Sequence, residues 1–264
     1  MTQIRHTPVA PTRAQLLEPG GAIDAHRHDD HQLVYAGRGA LAVTTDAGSW
    51  IIPDTAAIWI PAGTVHAHRA YGNLELHLVG VPIAENPLDR QRPTVVAVSP
   101  LLRELIITYT RDLNATPERT RLRAVLLDQL RTSPEQPHYL PAPTQPLLRG
   151  IAEIFHADPA DARTLAELGR ALGASACTLS RLFRSDVGMT FPQWRTQLRL
   201  QHAAILLAKN TPVTTVAHQC GWSSTSAFID TFRRTYGQTP ADTDKRIPAE
   251  HHLRLATSTP SRNE

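Results

Sequence analysis

TLAELGRALGASACTLSRLFRSDVG (residues 164–188) and PVTTVAHQCGWSSTSAFIDTFRRTYG (residues 212–237) are two copies of one pattern. Leu165, Leu168, Gly173, Ser175, Leu179, Phe183 and Gly188 recur as Val213, Val216, Gly221, Ser223, Phe228, Phe232 and Gly237. The offset is 48 positions through the serine (175 to 223) and 49 beyond it (179 to 228), so the second copy carries one more residue at its turn. Each copy predicts a short helix, a glycine turn and a second helix closed by another glycine. That is the outline of a helix-turn-helix, whose second helix enters a DNA major groove. A single glycine-broken helix pair is common in all-α proteins; two in tandem with matching internal positions are specific.

In the first unit Thr164 and Glu167 form a capping box, Leu165, Leu168 and Leu172 give the inward stripe, and Gly173 permits the turn. Ser175 caps the next helix. With Leu179, Leu182 and Phe183 facing inward, Ala176, Cys177, Ser180 and Arg181 face outward, and Thr178 lies at the edge of that face. Arg181 is the side chain best suited to a base, bidentate to guanine O6 and N7; the plainer reading is a solvated surface arginine. In the second unit Thr211-Pro212 fits a helix start, Ser223 or Ser224 caps the second helix, and Ser224, Thr225, Ser226 and Asp230 project outward. An outward Asp230 repels phosphate unless it accepts from cytosine N4 or holds Arg233 or Arg234, and the ion-pair role is the expectation. Residues 191–208, with Trp194, Leu198, Leu200, Ala204 and Leu207, predict one long helix between the units. Holding the reading helices ~34 Å apart would place both in successive major grooves on one face of DNA.

These residues resemble the AraC/XylS family of bacterial transcription regulators over about residues 147–243. The most specific matches are Val216-Ala217, Gly221-Trp222, Ser226-x-Phe228, Phe232-Arg233-Arg234 and Gly237-x-Thr239-Pro240. Asp230 departs from the pattern, which most often has a basic residue there. The resemblance implies a sequence-specific activator or repressor, usually with a ligand-sensing partner domain.

Composition agrees with a globular protein: 41% of residues are apolar and 19% charged, which excludes a disordered or fibrous class. No apolar run approaches the ~20 residues a membrane helix needs. Nor does an apolar segment follow the first residues as in a signal peptide, so the expected location is the cytoplasm. The two cysteines, Cys177 and Cys220, give no disulfide framework. Residues 1–82 carry five Lys/Arg against seven Asp/Glu, whereas residues 147–247 carry twelve against eight. The basic excess thus lies on the half expected to meet phosphates.

Residues 24–82 alternate short β-branched runs with glycine, proline and asparagine turns, predicting a small antiparallel barrel or sandwich. Within it, His26-x-His28-x-x-x-Gln32 and Pro61-x-Gly63-x-x-His66 stand at spacings that bring His26, His28 and Gln32 to one strand face, with His66 arriving on a later strand. This resembles the two-part cupin signature over residues 20–82. The resemblance implies a divalent transition metal (Zn, Ni, Fe or Cu) held by histidines and an acid. Gln32 stands where that family usually has glutamate, exchanging a charge for a dipole, and Asp30, on the same predicted face, is a candidate for the missing carboxylate. Two alternatives stay open: a metallated site, or hydrogen-bonded histidines in a pocket for an organic ligand. His31, His68 and His77 read as surface or pocket-lining, and Trp59 as a pocket wall suited to a small aromatic compound.

The expected architecture is therefore a multidomain α+β chain. A cupin-type sensor barrel (1–98) precedes a helical dimerisation segment (99–132), a proline-rich linker (133–146), an all-α tandem helix-turn-helix domain (147–247) and a disordered tail (248–264). The stripe Leu122, Val125, Leu126 and Gln129 is the expected homodimer contact, with packing on its own barrel as the alternative. The expected function is a cytoplasmic regulator of a neighbouring transporter or enzyme gene. It binds double-stranded DNA and a small-molecule or metal effector, and touches no membrane. Two other readings compete. One is a metal-dependent cupin enzyme of dioxygenase or isomerase type with an appended DNA-binding module. The other is an architectural DNA-binding protein without a ligand.

Overall fold

Alternating apolar residues in the first hundred positions produce eight strands: β1 Arg5–Thr7, β2 Arg13–Leu17, β3 Ala22–His28, β4 His31–Thr45, β5 Gly48–Ile52, β6 Ala56–Ile60, β7 His66–Val81 and β8 Thr94–Ala97. The computed structural model describes residues 4–136 and 139–241; in it the proline-rich stretch supplies a ninth strand, β9 Tyr139–Pro141. β4 and β7 pair antiparallel along most of their length, with irregular register around Ala36, Arg38 and Ala40. Each then lends its two halves to different neighbours. Residues 32–35 of β4 pair with β6 and residues 41–44 with β5; residues 74–78 of β7 pair with β2 and residues 66–69 with β3. Two layers result, one of β2, β7, β4, β6 and β8, the other of β1, β3, β7, β4, β5 and β9, sharing the two long strands. One pairing departs from the expected antiparallel pattern: β1 runs parallel to β3. Between the layers lies one apolar core, with Val34, Ala36, Ile58 and Leu76 from the first and Leu41, Val43, Trp50 and Ile52 from the second.

Two helices, α1 Pro100–Arg111 and α2 Pro117–Arg131, are capped by Ser99 and Thr116 and cover the outer face of the first layer. Leu102, Ile106, Leu126 and Leu130 pack there on Leu33, Tyr35, Trp59 and Val81. Most of the stripe expected as a dimer contact thus packs on its own sheet, the alternative to that expectation. Leu126 and Leu130 are fully buried within the chain, and only Val125 (44% exposed) faces out. The physical reason is that odd-numbered residues of β4 and β6 are as apolar as the even ones, so the layer needs a cover on its outer face as well. Nor is the proline-rich stretch a free spacer. Ala97 donates to the Pro134 carbonyl, Gln136 to that of Val95, and β9 pairs with β5, so the stretch runs along sheet edges.

The C-terminal half is helical: α3 Pro146–Ala157, α4 Leu165–Leu172, α5 Ala176–Leu182 running into a π-helical turn Phe183–Val187, α6 Phe191–Ala208, α7 Val213–Gln219 and α8 Thr225–Tyr236. The sequence reading had not identified α3. The Thr164–Glu167 capping box forms and Gly173 is left-handed (φ 71°). Pro212 caps α7 from outside rather than entering its first turn. Each helix-turn-helix has its own core, around Leu168, Leu179, Phe183 and Trp194 in the first and Val216, Phe228, Phe232 and Leu200 in the second. Helix α6 also presses Ala204, Ile205 and Ala208 on Ala40, Ile51 and Tyr71 of the second sheet layer. The expected tail, 248–264, lies outside the described residues.

Because Leu126 is core rather than interface, Leu126→Ala should cost about 2–5 kcal/mol of stability, while Val125→Ala should change it by less than ~0.5 kcal/mol. Thermal unfolding of the two variants checks this; a Leu126→Ala protein that melts like the wild type would contradict the packing.

Candidate DNA-reading face and histidine site

β3 and β7 lie side by side with His26 opposite His66, and alternation turns His26, His28, His66 and His68 toward the interior. All four are buried. Their rings cluster: centroids are 4.3 Å apart for His26 and His66, 4.9 Å for His26 and His28, and 5.1 Å for His66 and His68. Nitrogens of His26, His28 and His66 all lie within 4.8 Å of one another. The Nδ1 atoms sit against main-chain carbonyls: His26 on Asp24 (2.7 Å), His28 on Thr7 (3.3 Å) and His66 on Thr64 (2.9 Å). A carbonyl only accepts, so each Nδ1 carries the proton and each Nε2 presents a lone pair. For His28 and His66 that Nε2 is buried without a partner. Burial pushes the His66 imidazole down to about 4 and holds His28 and His68 below their ordinary value too, so these rings are neutral at pH 7.

The other residues assigned to this site separate into two groups. Gln32 is buried on the interior-facing side of β4, with neither amide atom partnered. Asp30 leaves the site. β3 ends at His28, the chain turns through Asp29 and Asp30, and the Asp30 carboxylate accepts from the Ala10 amide (3.4 Å). Strand alternation, which had placed it beside His28, stops where the strand stops. Trp59 leaves it as well: β6 sends Ala56, Ile58 and Ile60 inward and Ala57 and Trp59 outward, where α1 and α2 cover them. His31, stacked 5.1 Å from Trp59, and His77, bonded to Thr110 of α1, lie on that outer face, buried rather than at the surface. His68, read from the sequence as surface or pocket-lining, lies inside with the cluster. Its position two after His66 on one strand was the available signal, and both of its ring nitrogens are buried without a partner.

On α5, Ser175, Cys177, Ser180 and Arg181 are exposed, and Ala176 and Thr178 partly so. Ser175 caps the helix by accepting from the Thr178 amide (3.0 Å). On α8, Ser224, Ser226, Asp230, Arg233 and Arg234 are exposed and Thr225 is partly buried; Ser224 is the cap. The expected Asp230 ion pair does not form. Arg234 donates to the Asp230 main-chain carbonyl (3.3 Å) and to Thr231 Oγ1, and the Asp230 carboxylate makes no salt bridge among the described residues.

Residues 168–246 match the family model for a helix-turn-helix domain and residues 14–82 that for a cupin domain. The transcriptional regulator NimR of Escherichia coli is 35% identical over 81% of this chain and 80% of its own length. The chain belongs to the AraC-type helix-turn-helix transcriptional regulators with a cupin domain. RipA of Corynebacterium glutamicum, also a transcriptional regulator, is 35% identical over 52% of this chain and 40% of its own. Among solved structures, ToxT from Vibrio cholerae is similar over 89% of this chain and 97% of its own, at 11% identity and a TM-score of 0.38. Among the described residues of this regulator, no helix is long and apolar enough to cross a membrane.

The buried imidazoles fix a pH dependence. His66 titrates near 4 when folded and near 6.5 when unfolded, so as pH falls the unfolded chain takes up the proton first. Stability is therefore full above about pH 6.5 and declines toward pH 4. With chelator present, the melting temperature at pH 5 should lie at least ~5 °C below that at pH 7. Equal melts at the two values would contradict the burial of these rings.

Proposed function

We propose that this AraC-type regulator is governed by a divalent transition metal taken into its cupin domain, and that α5 and α8 read the operator. The observation that carries the metal reading is the convergence of His26, His28 and His66. Each has its Nδ1 proton committed to a carbonyl and its Nε2 lone pair turned inward. Gln32 offers an amide oxygen in the same interior, and neutral imidazoles suit Zn, Ni, Fe or Cu. A metal held there by His26 and His28 of β3 and His66 of β7 would supply a positive charge shared by the two strands. A binding rather than a catalytic role for the histidines is supported by the relatives, which are transcriptional regulators. The route to DNA is short. His66 and His68 face inward on the same stretch of β7 that ends at Tyr71, which packs outward on α6. DNA-bound regulators of this kind work in the cytoplasm, on a gene such as a neighbouring transporter or enzyme.

A second reading has an observation of its own. A cleft of about 680 Å³ opens beside the contact of the cupin domain with α6, reaching Phe232 of α8. Ala40, Ala70, Leu207 and Phe232 line its apolar part, and Arg38, Arg69 and Lys209 its charged part. Its acid, Asp54, accepts from Gln238 (3.1 Å). An organic anion with an apolar body fits that lining and would bridge the two domains.

Fluorescence anisotropy on duplex DNA selected by the wild-type protein from a random library tests both readings. Stripping the metal with chelator should change affinity by about 5–150-fold, and His26→Ala, His66→Ala should make it insensitive to metal. Affinity blind to chelator and metals, but moved by organic anions and then lost in Lys209→Ala, would replace the first reading with the second. On the same duplexes Arg181→Ala should weaken binding by ~1–3 kcal/mol and relax base preference at one position. A uniform loss across all sequences would reassign Arg181 to phosphate.

A further inference from the structure

Arg199 stands where α6 passes from one helix-turn-helix unit to the other. Phe191, Trp194 and Leu198 belong to the core of the first unit, and Leu200 and Ala203 to that of the second. The Arg199 guanidinium fills the step between them. Its Nε donates to the Pro159 carbonyl (2.8 Å), Nη2 to those of Asp161 (3.0 Å) and Ala160 (3.4 Å), and Nη1 to that of Gly221 (3.0 Å). The first three carbonyls lie in the loop that leads into α4; the last lies in the turn between α7 and α8. One side chain thus joins both units across the helix that separates them. Only a planar fork of five donors reaches so many acceptors at once; a lysine ammonium does not.

Glycine makes the joint close. A Cβ at Gly221 would come within 2.8 Å of Ala160 Cα and 2.7 Å of Arg199 Nη2. The equivalent residue of the first copy, Gly173, has nearly the same left-handed backbone (φ 71° against 75°) but nothing within 4 Å of the same point. Both glycines turn the chain. Gly221 also admits the loop of the other unit.

We propose that Arg199 is a positioning residue for DNA reading, setting the separation and angle between α5 and α8 and hence the spacing between the two short base sequences the regulator accepts. α5 is fixed to α4 by the first core and α8 to α7 by the second, so the relation between the units rests on α6 and this joint. The inference rests on both units contacting DNA.

The test uses the full chain and the duplex that the wild type selects from a random library, with base pairs added to or removed from between the two contacted segments. Each base pair shifts them by ~3.4 Å, and anisotropy reads the affinity. The wild type should lose at least about ten-fold for one or two base pairs. Arg199→Met and Gly221→Ala should bind the preferred spacing about ten-fold more weakly and vary less than about three-fold across the series, with Arg199→Lys intermediate. Gly173→Ala should lower the melting temperature yet keep the strict spacing, which a merely structural role for Arg199 would not distinguish. If Arg199→Met does not fold, Gly221→Ala decides. Undiminished spacing preference in Arg199→Met, or in a folded Gly221→Ala, overturns the role of the joint. Indifference of the wild type to spacing overturns the two-unit reading beneath it.

Discussion

Trp194 and Leu198, Leu200 and Ala203, and Ala204 are all buried on a single helix, α6, with Ile205 partly so. An ordinary surface helix carries one apolar stripe; α6 carries three, directed at the first helix-turn-helix core, the second, and the outer face of a sheet layer. At ~1.5–3 kcal/mol for each fully buried large side chain, apolar packing around α6 outweighs the few polar ties between the domains. Those ties set register instead: Gln201 donates to the Ser49 carbonyl (3.3 Å) and Gln238 to the Asp54 carboxylate (3.1 Å). The cupin domain and both helix-turn-helix units are thus mounted on one rod.

This arrangement gives the sheet two jobs on its two faces. Alternation sends His66 and His68 inward, while Ala40, Ile51 and Tyr71 of the same layer face α6. A close-packed layer transmits a change of strand spacing instead of absorbing it. The histidines and α6 thus lie on opposite sides of one thickness of sheet, the route that the proposed metal control would take. The linker is in any case strapped down by β9 and by the hydrogen bonds of residues 134 and 136.

The tandem units were legible in the sequence because their signals are local. A capping box, a left-handed glycine and a helical stripe each depend on residues within one or two turns. The histidine trio was legible for the same reason, since strand alternation and a turn motif place it. What the sequence hid was which side of an element faces which neighbour. Leu126 and Val125 sit side by side on α2, and only the apolar outer face of β4 and β6 decides that Leu126 is core. Trp59 and Ile60 are equally apolar, and only the phase of β6 sends the tryptophan away from the interior. Asp30 was misplaced by carrying alternation two residues past the end of its strand.

The shared pattern of the two copies also hides an asymmetry in how each is held. The π-helical turn after α5 puts the Asp186 carboxylate on the amides of Thr144 (2.9 Å) and Gln145 (3.1 Å), capping α3, whose own N-cap residue makes no side-chain bond. The first unit is therefore tied to the linker. The second is tied to the cupin domain, through α6 and through Gln238 just past α8. The first unit also meets the sheet, through Leu140 of β9, which pairs with β5 and lies in that unit's core. The two cores part at Leu198 and Leu200, with Arg199 as the polar bond across the gap.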